Sequence, residues 1–210
     1  MIRVCVVDDH AVVREGLKRI IGENPGMAVT AEAGDGFEAV KVIHAEPCDV
    51  ILLDITMPHQ SGLEVLKQIH GESPNLPVLV LSMHSEDQYA VRVLRAGAAG
   101  YLTKESAPTK LVQAIRKVVR GGKYVSTTLA EKLICDLNSD SAKAPHEILS
   151  DREYQVLCMI ASGKTVTIIA EELGLSVKTI STYRVRVLEK LNMRNNAELT
   201  RYAIKGGLVD

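Results

Sequence analysis

Five short apolar runs, each followed by a stretch with helical spacing, restrict the first 120 residues to an alternating β/α fold. Arg3–Val7 reads as a buried strand closed by Asp8 and Asp9. Val12, Val13, Leu17, Ile20 and Ile21 then recur at helical spacing over residues 11–23. The pattern repeats as strand Met27–Ala33 with helix Glu38–His44, and as strand Val50–Leu53, closed by Asp54, with helix Leu63–Ile69. It repeats again as strand Val78–Leu81, ending at Ser82, with helix Tyr89–Leu94. Last come strand Gly100–Thr103, ending at Lys104, and a helix opened by Pro108 and running through Val119. Strands with no polar alternation must be buried on both faces, so the sheet is parallel and sandwiched by helices. Right-handed crossovers leave few topologies. The expected one is a flavodoxin-like doubly wound (βα)5 sheet of order 2-1-3-4-5, with a ligand site where β1 and β3 diverge.

The remaining residues change character. Gly121 and Gly122 break the fifth helix, and Thr128–Leu137 reads as a further amphipathic helix with Thr128 and Glu131 spaced as a capping box. Residues 138–147 are polar, contain Pro145 and lack periodicity, as expected of an exposed linker. The expected division is therefore 1–121, a connecting segment 122–147, and an all-α unit 148–210. In that unit Ser150 and Glu153 form a capping box, Gly163 ends the first helix, and Thr165 caps a second. Gly174 turns the chain, Ser176 caps a third helix to about Asn192, and Ala197–Ile204 is a fourth.

Composition narrows the function. The chain has 210 residues, 46% hydrophobic and 24% charged, with 25 Lys+Arg against 26 Asp+Glu. A net charge of −1 excludes a uniformly basic nucleic-acid binder but not a local basic face. Six tyrosines, one phenylalanine and no tryptophan argue against a base-stacking platform for single strands. Cys5, Cys48, Cys135 and Cys158 are dispersed among apolar neighbours and form no C-x-x-C, as expected of reduced thiols in the cytoplasm. No apolar run approaches the roughly 20 residues of a membrane span, and the N-terminal stretch turns acidic too early for a signal peptide.

The strand ends converge on one edge of a parallel sheet. They bring Asp8, Asp9, Asp54, Ser82 and Lys104 together. Clustered carboxylates repel unless a cation compensates, and hard oxygen donors suit Mg²⁺. A lysine there balances a phosphoryl group, and a hydroxyl bonds one of its oxygens. The chemistry is phosphoryl transfer to a carboxylate nucleophile. A helix, a tight turn at Gly174 and a second helix give helix-turn-helix spacing in the other unit. Residues 147–175 carry −3 and residues 176–205 carry +5, a local asymmetry suited to phosphate contacts. Ile180, Val187, Leu188 and Leu191 form the expected core stripe of the third helix, with Tyr183 beside it. The opposite face offers Lys178, Thr179, Ser181, Thr182, Arg184, Val185 and Arg186 to double-stranded DNA.

Residues VVDDH, LLDITMP, LSMH and AGYLTK resemble the signature segments of a two-component response-regulator receiver over residues 2 to about 120. The resemblance implies that Asp54 accepts phosphate from a sensor histidine kinase. It implies that Asp8, Asp9, Asp54 and the Thr56 backbone carbonyl hold Mg²⁺, that Lys104 pairs with the acyl phosphate, and that Ser82 and Tyr101 are the switch pair. LSDREYQVLCMIASGK, IAEELGLSVKTIS and VLEKLNM resemble the LuxR-type helix-turn-helix of NarL/FixJ regulators, and KTISTYR and AELTRYAIKGGLV resemble its GacA/UvrY branch. That resemblance implies a homodimer formed through the last helix and a transcription regulator rather than an enzyme. Val166-Thr167-Ile168 departs from the family's frequent Asn-Lys-Glu. Three rivals are weaker. A constitutive DNA binder with the receiver as a dimerisation scaffold leaves the acidic residues without a role. A phosphatase lacks a second carboxylate near Asp54, where Thr56 stands. A flavodoxin-like electron carrier lacks aromatics for its ring.

Overall fold

A computed structural model describes residues 1–83, 86–131 and 144–209, without the side chains of 86–88. Cys135 and most of the expected helix over 128–137 lie outside the described residues. Two compact units divide between residues 133 and 134.

The first unit alternates β1 (Ile2–Val7), α1 (Ala11–Gly22), β2 (Met27–Ala33), α2 (Gly36–Ala45), β3 (Val50–Asp54), α3 (Gly62–Glu72), β4 (Val78–Ser82), α4 (Glu86–Arg95), β5 (Gly100–Thr103) and α5 (Ala107–Val119). Every strand pair is parallel, in the order β2-β1-β3-β4-β5. The sheet is the expected one. β3 and β4 are buried at every position, which is why their sequences show no alternation. Val4, Val6, Val50, Leu52, Leu79 and Leu81 pack with Leu17 and Ile21 of α1 and Leu111, Ile115 and Val118 of α5. The other face of the same strands, carrying Cys5, Val7, Ile51, Leu53 and Val80, is also buried. Burial pushes the Cys5 thiol up to about 12, so it stays protonated.

Two expectations change beyond α5. Tyr124 pairs with Gly100, its N–H donating to Ala99 O and its carbonyl accepting from Tyr101 N. The segment after Gly122 thus begins as an extension of the sheet edge. Residues 127–131 are helical, but the cap is Ser126, whose Oγ accepts from Leu129 N, and not Thr128. The cap lies two residues earlier because Ser126 already has the i+3 reach to a free N–H.

In the second unit Pro145–Ile148 is a 3₁₀ turn where an unstructured linker was expected. Then come α6 (Asp151–Ala161), α7 (Val166–Leu173), α8 (Val177–Lys190) and α9 (Asn196–Lys205). Ser150 and Glu153 form the expected reciprocal capping box, and Thr165 and Ser176 cap α7 and α8. Gly174 ends α7 at φ 62°, a left-handed conformation that costs glycine little. Val156, Ile160, Ile169, Leu173 and Ile180 form the core, with Tyr183 packed against it. Val187 and Leu191 are buried as expected, while Leu188 is only half-buried.

Candidate functional site

Strand ends place the acidic residues. Asp8 follows β1 and Asp54 ends β3, and both are almost completely buried. Backbone pairing sets these neighbouring strands in register through Val7 and Leu53, so their next residues share one edge. Lys104 follows β5 and reaches into the same crevice. Its Nζ lies 2.7 Å from Asp54 Oδ2 and 2.8 Å from Asp8 Oδ2. Asp54 Oδ1 accepts from the Thr56 N–H at 3.1 Å. Asp8 Oδ1 accepts from the His10 N–H at 2.9 Å, and Arg14 Nη1 donates to the Asp8 carbonyl at 2.7 Å.

Electrostatics are set by burial. Loss of water pushes the Asp54 carboxyl up to about 6, Lys104 pulls it down, and Asp8 adds to the rise. Lys104 is held above its usual value: burial opposes its charge, but Asp54 and Asp8 outweigh that.

Asp8, Asp9, His10 and Asp54 each offer a ligand atom within 4.8 Å of the others. Asp8 Oδ2 and Asp9 Oδ1 are buried, each with a single nitrogen, of Lys104 and His10, 2.8 Å away. Oxygen donors with unused lone pairs fit a hard divalent cation such as Mg²⁺. His10 was not among the sequence-derived site residues; its position directly after Asp8-Asp9 is the signal that could have found it.

Ser82 ends β4 with no solvent exposure, and its carbonyl accepts from the Lys104 N–H at 2.8 Å. Tyr101, in β5, is also fully buried. Gly62 sits against Asp54: a Cβ there would lie 2.0 Å from the Asp54 carbonyl oxygen. Sequence pattern alone did not single it out.

On α8 the seven residues expected to face DNA separate. Lys178, Thr182, Val185 and Arg186 are exposed. Thr179 is half-buried and works in the cap: its N–H donates to Ser176 Oγ, and the two hydroxyls lie 2.8 Å apart. Ser181 is half-buried, and Arg184 is tied sideways, Nε donating to Asn196 Oδ1 at 2.6 Å. Val177 of α8 and Ile168 of α7 expose apolar surface. Beneath α8, Lys190 Nζ bonds Glu153 Oε2 at 2.6 Å, fastening α8 to α6.

Among the described residues no helix is long and apolar enough to cross a membrane. Residues 4–116 match the response regulator receiver domain, and residues 147–203 match the bacterial regulatory proteins of the luxR family. The response regulator UvrY of Escherichia coli O6:H1 is 40% identical over 209 residues, covering 99% of this chain and 96% of that protein. The response regulator GacA of Pseudomonas protegens is 40% identical over 210 residues, covering 100% and 99%. RcsB from Salmonella enterica serovar Typhimurium, solved on promoter rprA with the phosphomimetic BeF3−, is similar at TM-score 0.66 and 27% identity, covering 96% of this chain and 97% of that one.

Proposed function

Because the chain belongs to the response regulators that join a receiver to a LuxR-type DNA-binding domain, we propose that phosphorylation of Asp54 by a sensor histidine kinase controls its dimerisation and its sequence-specific binding to double-stranded DNA. As a member of that family it regulates transcription and is not an enzyme. The observation that carries the proposal is the buried Asp54 carboxylate, 2.7 Å from Lys104 and beside Asp8 and Asp9.

An Asp54 oxygen attacks phosphorus as the donor's phosphorus–nitrogen bond breaks, and the departing imidazole keeps that electron pair. With a pKa of about 6, Asp54 is mostly ionised at neutral pH, so the nucleophile needs no separate base. Asp8, Asp9, Asp54 and the Thr56 backbone are the residues that would hold Mg²⁺, which when bound would neutralise charge on the transferring group. Lys104 passes from the carboxylate to a phosphoryl oxygen. Ser82 supplies a hydroxyl from the end of β4, and Tyr101 packs inward behind it. The added charge of about −1.5 to −2 biases the surface around β4 and β5.

Residues 1–121 receive the phosphate, 148–210 read DNA, and 122–147 connect the two. Lys178, Thr182, Val185 and Arg186 enter the major groove, Thr179 and Ser181 lie at its edge, and α9 pairs two copies on a two-fold site. The structure of RcsB on a promoter in the presence of a phosphomimetic supports DNA binding by a chain of this architecture.

The test is affinity selection from a random duplex pool, with and without acetyl phosphate plus Mg²⁺ at fixed salt. Enrichment of a two-fold symmetric site only after phosphorylation is expected. Equal enrichment in both samples, or an Asp54→Ala protein that still gains affinity from the donor, would overturn the proposal.

A further inference from the structure

Arg184 stands apart from the other basic residues of α8. It lies one residue, or about 100° of helical turn, from Val185 on the exposed face. Its Nε is committed to Asn196 Oδ1 at 2.6 Å. Asn196 is the first residue of α9, so the guanidinium is held to the flank of α8 and not along its outward face.

A groove of about 530 Å³ opens at that flank, lined by Lys164, Thr165, Val166, Ser181, Arg184 and Asn196 among others. Its charge balance is simple. Lys164 is neutralised by Glu172 at 2.5 Å. Asn196 is neutral, so its bond to Arg184 leaves the guanidinium charge intact. Arg184 is therefore the one uncompensated charge among the described lining residues. The two terminal nitrogens of Arg184 remain as a donor pair. Ser181 adds a hydroxyl with no partner among the described residues. The Thr165 hydroxyl accepts from Ile168 N, which leaves its proton free to donate.

From this geometry we infer that the groove seats one backbone phosphate of the duplex, gripped by Arg184, and that Asn196 is the residue that positions Arg184 for it. The inference rests on the DNA-binding reading above. A single uncompensated charge with convergent donors fits one phosphodiester. A base edge would require Arg184 to extend along the outward face, which the Asn196 bond prevents. The groove also provides a backbone contact on the side where Val166-Thr167-Ile168 offers no basic residue.

The experiment measures affinity across a salt series for a duplex enriched on the wild-type protein and for a scrambled duplex. Arg184→Ala is expected to weaken both by the same factor, about tenfold, and to make the slope of log affinity against log salt shallower by about 0.9, the value for one phosphate. Arg184→Lys keeps the slope but not the full affinity, because it keeps the charge and loses the Asn196 bond. Asn196→Ala weakens both duplexes severalfold and adds nothing in the Arg184→Ala background. A loss confined to the enriched duplex would make Arg184 a base reader and overturn the inference. So would an unchanged slope, or an Asn196→Ala effect that persists without Arg184. A wild-type protein that bound neither duplex would instead overturn the DNA-binding reading, before any variant is compared.

Discussion

A Cβ on Gly62 would lie 2.0 Å from the Asp54 carbonyl oxygen and 2.7 Å from Ile55 Cα. Both obstacles are backbone, so nothing rotates away, and Gly62→Ala must displace the segment that carries Asp54. Gly62→Ala is expected to lose most phosphate incorporation from acetyl phosphate and roughly 1–3 kcal/mol of stability, read by radiolabelling and by thermal melting. Asp54 itself illustrates the opposition between function and stability. Its carboxyl is raised to about 6 in the fold from an ordinary 3.8. A raised acid favours the protonated fold, so the Asp54 contribution to stability is greatest below pH 3.8 and falls as pH rises through about 6. In chelated protein, Asp54→Asn should therefore be more stable than wild type at pH 8, by on the order of 1–3 kcal/mol, and the gap should narrow at pH 5. Melting at both values checks the sign, and an Asn variant less stable at pH 8 would refute it. The carboxylates were legible in the sequence because Asp8, Asp9 and Asp54 directly follow the apolar runs of β1 and β3. Gly62 was not, because its constraint is a tertiary contact with a chain segment that no local pattern reveals.

Helix starts were the most legible features at the scale of elements, since a cap needs only a side-chain oxygen three residues before a free N–H. Ser150, Thr165 and Ser176 all sit where that spacing places them. The start of α2 was less legible. Capped by Asp35, it begins at Gly36, two residues ahead of the expected Glu38, because Phe37 lies 60% exposed and does not join an apolar stripe. Tyr124 was missed for a different reason: one residue pairing with a sheet edge has no periodicity. The capping box at α6 does two jobs, because Glu153 both closes the box and accepts from Lys190. Ser150→Ala should cost about 1 kcal/mol in the second unit. Glu153→Gln keeps the acceptor for Ser150 but loses the ion pair to α8. Glu153 is held below the ordinary glutamate range: burial opposes this, but Lys190 and Ser150 outweigh it. Its contribution is thus present above pH 4.5 and lost as pH falls through the lower folded value. The stability difference between wild type and Glu153→Gln should shrink on acidification, measured by melting from pH 7 to 3.5.

Across the whole molecule, a near-zero net charge conceals two opposed surfaces. One is a crevice lined by Asp8, Asp9 and Asp54, and the other is residues 176–205, which carry +5. Each site was legible alone, because each is built from residues that lie close in sequence or at successive strand ends. The proposed coupling between them was not, because a coupling is a free energy between two states and no residue pattern encodes its size. Thermodynamics nevertheless fixes its form. If a phosphoryl analogue at Asp54 tightens duplex binding by some factor, the duplex must tighten binding of the analogue by that same factor. With beryllofluoride and Mg²⁺ as the analogue, we expect a factor of about 5–150, the usual span of such couplings. Duplex affinity measured with and without beryllofluoride gives one value, and beryllofluoride affinity measured with and without the duplex gives the other. Equal factors above one establish that one switch connects the two surfaces. Factors of one on both sides would leave a DNA-binding protein whose receiver takes no part in the switch. The Asp54→Ala variant should read one in the duplex titration, because it has lost the carboxylate that the analogue must join.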